Sequence, residues 1–408
     1  MSPKAASRLE SVTKVVLERF RVFRERTELD IGRLTLLAGA NSTGKSSVML
    51  PVLLLKQTLD APYDPGPLLL AGGHVAIASF DHLRSYGASG AVVLGIETSA
   101  RQAIEVSFMR DAKGEIAIAS MKSRGARGRD VELVPETPWR GRPVARVRFM
   151  LGTEHSRRGE VSVATSASRA TQVLEHVLHV PGLRTPAQRD YPVTAVGDKF
   201  EGKFDHYVAS ILVEWQRTGD ERLTQTASDL AKLGLTWKVR ATKRSDTHVS
   251  IEVGRLPAAT RGGARDVVEI ADVGVGVSQA LPVIVALRRA TPGQLVFIEQ
   301  PELHLHPNAQ TAMARVLVDA VQRGVRVVVE THSSLLLIGI QTAIAEGLTG
   351  LAPEDVRLHW FSRDPKTGDA RVSSHTLDSK GAFGDWPADF DSIELAAHAA
   401  YLDAVEAK

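Results

Sequence analysis

The chain has 408 residues, 43% of them hydrophobic and 24% charged, with a formal net charge of +3. That balance is ordinary for one large globular domain or two to three smaller ones, and it excludes a low-complexity chain. The absence of cysteine rules out a disulfide framework and a thiolate zinc site, and it fits a reducing compartment.

In chain order, the opening MSPKAASRLESVTK lacks the apolar core of a signal peptide. Alternating apolar positions around residues 15–23 and 34–37 predict two strands leading into a glycine-rich loop. Residues 45–59 carry helix formers with apolar residues in excess, which predicts a buried helix. The longest apolar run, around 48–55, is far short of the ~20 residues that span a bilayer. A cytoplasmic protein with no membrane contact is expected.

Between 75 and 150, short alternating runs such as VVLGIETS, IEVSFMRD and ARVRFML are separated by turns such as DAKGE and SRGARGRD. They predict an antiparallel sheet. Its stretch 101–148 is basic, with eleven Lys and Arg against six Asp and Glu, whereas 385–408 hold one Lys against six acids. Nucleic acid could bind through 101–148, and a solvated arginine-rich surface explains the composition about as well.

From about 170 to 235 the pattern is helical, as in HYVASILVEWQRT and ASDLAKLGL. His176, His179 and His206 fall in these stretches and read as packing or surface residues. RATKRSDTHVSIEVGR returns to strand, and PAATRGGARD (257–266) reads as an exposed loop. In the last third, QLVFIEQ and VRVVVETH are continuous apolar runs, each followed by a helical stretch. Strands buried on both faces and alternating with helices predict a parallel sheet covered by helices. No repeat or heptad array is present, so no long coiled-coil arm is expected.

The octet Gly39-Ala40-Asn41-Ser42-Thr43-Gly44-Lys45-Ser46 fits the phosphate-loop pattern, and it stands between a predicted strand and a predicted helix, as that motif requires. Backbone N–H groups of 41–46 would curl around nucleotide phosphates, helped by the positive end of the helix dipole. Lys45 is placed for the β/γ oxygens and Ser46 for Mg²⁺, and Ser47 can add a phosphate contact. Downstream, Val296-Phe297-Ile298-Glu299-Gln300-Pro301-Glu302 is an apolar strand ending in acids, at the sheet edge where ligands collect in open α/β folds. Val327 to Ser333 is a second buried strand, ending in a histidine, His332. Asp272 to Gln279 leads into a helix whose glycines and serine offer another anion-ready N-terminus.

The order phosphate loop, GVSQ at a helix start, FIEQPELHLHP and VVVETHS resembles the ABC-type ATPases of the RecF, SMC and OLD group. Within that group the chain is most similar to compact bacterial AAA-family ATPases, including the ATPase components of Septu-like antiphage systems. LERFRVF is similar to the group's usual entry strand, and HVPGLRTPAQRDY and GAFGDWPADFD resemble the compact subgroup. The likeness implies an α/β P-loop NTPase of the ABC type, a mixed sheet with flanking helices plus an antiparallel β subdomain and a helical insertion. The expected division is an N-terminal ATPase lobe with the β subdomain (1–150), a mostly helical insertion (151–265), a C-terminal ATPase lobe (266–350) and a small extension (351–408).

What the resemblance implies for the site is a head-to-tail homodimer, or a higher oligomer built on it, around Mg²⁺ and ATP. Gly39, Asn41, Ser42, Thr43, Gly44, Lys45, Ser46 and Ser47 of one subunit would hold the triphosphate. Gly276, Ser278 and Gln279 of the other would cap the γ-phosphate. Glu299 would join Ser46 in orienting the metal, and His332 would sense the γ-phosphate and polarise the attacking water. Arg21 faces the nucleotide or is a surface strand arginine.

The family's strand normally ends Asp-Glu-Pro, with the glutamate as general base, and here Glu299-Gln300-Pro301 puts an amide there. Gln300 could orient the water but not take its proton, as a glutamine does in GTPases. Glu302 is the nearest alternative carboxylate. General-base help is worth roughly 10²–10⁴-fold, so slow hydrolysis is expected. A dedicated metal site at Glu302, His304 and His306 is the lesser reading, because ELHLHP is usual in the family. Asp389-Phe390-Asp391 reads as a surface turn rather than part of a nuclease centre. The leading expectation is therefore an ATP-driven switch for a separately encoded effector, a nuclease, in antiphage defence. A DNA-repair ATPase that clamps nucleic acid, and an ATP-binding scaffold with little turnover, are the alternatives.

Overall fold

The computed structural model describes residues 9–383 apart from 126–127, 129, 156–159, 164, 259–265, 348–349 and 379–380. Strands β1 (Val12–Glu18), β2 (Thr27–Asp30) and β3 (Leu34–Gly39) lead into helix α1 (Lys45–Asp60). An antiparallel series follows, β4 (Val92–Thr98), β5 (Ala103–Arg110), β6 (Ile116–Arg124) and β7 (Asp130–Leu133). Next come β8 (Val144–Val147), β9 (Met150–His155), β10 (Glu160–Val163), helix α2 (Thr165–Glu175), β11 (Leu178–Val180) and β12 (Tyr191–Pro192). Helices α3 (Val208–Thr218) and α4 (Glu221–Lys232) precede β13 (Val239–Lys243), β14 (His248–Gly254) and β15 (Val267–Glu269). The chain then alternates: α5 (Val275–Arg289), β16 (Leu295–Glu299), α6 (Pro307–Gln322), β17 (Arg326–Glu330) and α7 (Ser334–Ala345), closing with β18 (Val356–Arg363) and β19 (Ala370–Thr376).

The central sheet runs in the order β11-β16-β17-β3-β18-β19. Its first five strands are parallel, and β19 returns antiparallel to β18. The apolar runs in β16 and β17 are continuous because both faces are covered. Val296, Ile298, Val327 and Val329 pack into one core with α5, α6 and α7, while Leu295, Phe297 and Val328 point into a second core with α1 and the N-terminal sheet. Side chains that alternate across a strand serve two layers in this way. The second sheet, β2-β1-β4-β5-β6-β7, is antiparallel throughout.

Expectation and structure agree on α/β architecture, on the buried helix after the loop and on the antiparallel sheet. The stretch 151–265 holds β11, an edge strand of the central sheet, as well as the β13–β14 hairpin. After residue 350, β18 lies directly beside β3 in the central sheet. Both strands close their sheet by pairing with partners more than a hundred residues away, which no local pattern records. The GDWPADFD stretch, with Asp389 and Asp391, lies outside the described residues. No helix among those described is long and apolar enough to cross a membrane.

Candidate nucleotide site

The parallel strands β3, β17 and β16 place their carboxyl ends side by side, so the loops after them converge. Gly39 ends β3 at φ 135°, and a Cβ there would fall 2.2 Å from the Phe361 carbonyl oxygen of β18. Gly44, at φ 108°, is the N-cap of α1, and its Cβ would meet Val22 at 2.6 Å. Both motif glycines are therefore required by conformation and by space. Between them Ser42 holds φ 61°, a left-handed conformation unusual for a serine and common where a loop is shaped for a ligand. Thr43 Oγ1 donates to the Ala40 carbonyl at 2.8 Å and braces the turn.

A cavity of about 650 Å³ opens on this loop, lined by Asn41 to Ser47 together with Arg21, Val22, Gln300, Glu330, His332 and Arg363. The buried Lys45 ammonium donates to the Gly39 and Ala40 carbonyls at 2.9 and 2.5 Å. Burial lowers its pKa, against the pull of Glu330. Burial likewise lowers Arg21, though not enough to discharge a guanidinium. Three cations and a helix N-terminus around a polar cavity suit a polyphosphate. Arg21 thus faces the cavity from the turn after β1; Arg363, at the end of β18, was not foreseen.

The acids divide their duties. Glu299 Oε1 hydrogen-bonds His179 Nε2 at 3.0 Å, and its Oε2 accepts the Gly182 amide at 2.9 Å. Burial pushes its carboxyl up, but His179, Gly182 and Arg184 together outweigh that and hold it below the ordinary range. Behind it runs a buried chain: His179 Nδ1 to His74 Nδ1 at 3.3 Å, His74 Nε2 to Asp60 at 3.2 Å, and Asp60 to the fully buried Lys56. Burial lowers His74 to about 4, so its ring is neutral at pH 7. His179 is therefore no bystander; it lies on β11 and stacks on Phe297.

Glu330 ends β17 and accepts the Ser46 hydroxyl at 2.8 Å. Burial pushes its carboxyl up to about 7, with Glu299 and Glu302 adding to the rise and Ser46 opposing it. Gln300 holds φ 44° at the cavity wall, its N–H bonded to the Glu330 carbonyl at 2.7 Å. The buried Arg184 fixes that turn by donating to the Glu299 and Gln300 carbonyls at 2.7 and 3.0 Å. Glu302 sits beneath the wall rather than on it. Its Oε1 accepts from Thr331 Oγ1 and the His332 amide, both at 2.8 Å, and burial raises its pKa. His332 itself is lowered by burial and by Lys45, hence neutral. Residues 301–304 form turns rather than a strand, and His306 caps α6. Glu302, His304 and His306 therefore do not share a strand face.

Gly276, Ser278 and Gln279 do not line this cavity. They open α5, where Ser278 Oγ donates to the Val275 carbonyl at 2.9 Å and Gly276 packs beside Leu235 and the His304 carbonyl. The exposed tip of that turn is Val275. Glu330 and Arg184 carry the site and were missed. Glu330 had a signal, since it ends an apolar strand as Glu299 does; Arg184 had one only in the family-like stretch HVPGLRTPAQRDY, which assigned it no role.

The donor set fits a hard divalent cation. Ser46 Oγ and the Glu330 carboxylate are adjacent oxygens, and Glu330 Oε2 is buried with no hydrogen-bond partner. Among the described residues no cluster of three His, Asp or Glu could hold a metal unaided. That suits Mg²⁺, which is usually bound by one or two protein oxygens plus substrate phosphates.

Residues 229–338 match the family described as "AAA domain, putative AbiEii toxin, Type IV TA system", a span that holds α5, β16, α6 and β17 but not the phosphate loop. No curated protein matches the chain. Among solved structures it is similar to an SMC head bound to the C-winged helix domain of ScpA, at 12% identity over 90% of this chain and 98% of that one, TM-score 0.47. It is similar to the SMC head domain from Thermotoga maritima, at 12% identity over 89% and 98%, TM-score 0.41. A third is an SMC head with an extended coiled coil bound to the C-terminal domain of ScpA, derived from Pyrococcus furiosus, at 10% identity over 98% and 100%, TM-score 0.45.

Proposed function

We propose that this chain is an Mg²⁺-ATP-dependent ATPase of the ABC type that pairs with a second copy and switches a separately encoded effector. The observation that carries the reading is the cavity where loop amides, Lys45, Ser46, Gln300, Glu330 and His332 converge at the sheet edge. Lys45 and Arg21 neutralise phosphate charge, and the loop amides fix the chain of phosphates. Ser46 and the Glu330 carboxylate would hold magnesium, which would supply positive charge against the negative charge of the phosphates. Gln300 orients the attacking water, and the neutral His332, held by Glu302 through its amide, hydrogen-bonds the γ-phosphate end.

The position of Gly276, Ser278 and Gln279 outside the chain's own cavity supports their use on a partner's nucleotide. The matched family's description, a putative AbiEii toxin of a type IV toxin–antitoxin system, is compatible with a two-component defence role. One observation favours a second reading, an ATP-binding scaffold with little turnover: Glu302, the carboxylate that follows Gln300 in the turn after β16, is held by the His332 amide and does not line the cavity. Nucleic-acid binding through 101–148 has less support. Arg110, Lys122, Arg124 and Arg146 are each paired with an acid, and Arg148 is spent on the Leu59 and Ala61 carbonyls.

Two variants test the proposal. Lys45→Ala is expected to abolish ATP binding in an equilibrium assay. Ser278→Arg is expected to keep that binding and lose ATP-driven dimerisation by light scattering. Normal dimerisation of Ser278→Arg defeats the trans-capping assignment, and unimpaired binding by Lys45→Ala defeats the site.

A further inference from the structure

Two carboxylates end neighbouring strands at this site, in register as Glu299 opposite Glu330. They are not equivalent. Both Glu299 oxygens are already engaged, one by His179 Nε2 and one by the Gly182 amide. Its main-chain carbonyl is engaged as well, by Arg184. Glu330 uses Oε1 to accept the Ser46 hydroxyl, and its Oε2 is buried without a partner. The nearest ammonium, Lys45, is directed at the Gly39 and Ala40 carbonyls. Topology adds to the contrast: β17 pairs directly with β3, whereas β16 is one strand further from the phosphate loop.

A buried acceptor left unpaired costs free energy, and a charged one costs more, unless a ligand completes it. The open oxygen of Glu330 is next to the one loop hydroxyl suited to a magnesium ion, and hard divalent cations take carboxylate and hydroxyl oxygens directly or through their waters. We propose that Glu330 is the carboxylate that holds the magnesium of a bound nucleotide, and that Glu299 is a clamped acid that positions the Gly182–Arg184 loop. The resemblance places the metal-side role on Glu299; the geometry moves it one strand nearer the loop. The proposal rests on the nucleotide-binding reading above.

The test separates the two. A fluorescent ATP analogue is titrated against the full chain in magnesium and in excess EDTA, for wild type, Glu330→Gln, Glu330→Asp and Glu299→Gln, with thermal melts to verify folding. Wild type is expected to bind at least tenfold more tightly with magnesium. Glu330→Gln should keep the EDTA affinity and lose most of the magnesium gain, Glu330→Asp should retain part of it, and Glu299→Gln should retain most of it. Loss of the gain in Glu299→Gln with its survival in Glu330→Gln overturns the proposal, as does equal loss in both. Absence of binding by wild type in either buffer instead removes the nucleotide reading itself. Should Glu299→Gln not fold, survival of the magnesium gain in Glu330→Gln alone is enough to overturn it.

Discussion

Replacing His179 with Phe tests how the acid at the end of β16 is held. Phenylalanine keeps a flat ring on Phe297, where the centroids are 5.4 Å apart, so no large cavity opens. Two hydrogen bonds vanish, to Glu299 at 3.0 Å and to His74 at 3.3 Å. Each stranded buried group costs about 1–3 kcal/mol, more when charged. The Glu299 side chain is 27% exposed, so water repairs part of its loss. The expected destabilisation at pH 7.5 is therefore about 2–4 kcal/mol in urea unfolding. The sign of its pH dependence follows from the acid. In wild type the Glu299 carboxyl lies below its ordinary 4.5, so it adds stability above that pH that is lost on acidification. Without His179 the carboxyl loses its strongest lowering partner and rises from its wild-type position, so the penalty at neutral pH should fade as the acid protonates. The gap between variant and wild type should thus be smaller at pH 5 than at 7.5. A loss below about 1 kcal/mol at pH 7.5, or an equal loss at both pH values, refutes the clamp.

Glu330 should behave oppositely. A carboxyl raised from 4.5 to about 7 costs the folded protein roughly 3 kcal/mol above pH 7, a cost that disappears as pH falls toward 4.5. Glu330→Gln is therefore expected to raise the metal-free melting temperature at pH 8 and to have little effect near pH 4.5; an unchanged Tm at pH 8 contradicts this. Gln300→Glu puts a carboxylate at the place where Gln300 meets the cavity, and steady-state turnover should rise by roughly 10²-fold or more, within the usual worth of a general base. Intact ATP binding with no gain in kcat would place the water elsewhere.

Much of this site could be read before any coordinates. The phosphate loop is a local motif, and its glycines, Gly39 and Gly44, are legible from spacing alone, although the Phe361 carbonyl and Val22 side chain that leave no room for a Cβ there are not. The apolar runs of β16 and β17 report burial on both faces, which is also local. What escaped reading depends on distant partners. β11 is three residues long, too short for periodicity, and its value lies in delivering His179 to a residue 120 positions away. Arg184 looks like any loop arginine until it is found buried against two carbonyls. Glu330 was visible as an acid at a strand end, but only the β3–β17 pairing puts it on Ser46.

The buried chain behind Glu299 has a mechanical consequence. Helix α1 is 16 residues long, about 24 Å, with the phosphate cradle at one end and Lys56 and Asp60 at the other. Asp60, His74 and His179 tie its far end to β16, while Ser46 and Glu330 tie its near end to β17, and the two strands are laced together. The links form a closed loop, like the members of a truss. A push on the cradle that tilts α1 therefore also loads the acid at the end of β16 through Asp60, His74 and His179.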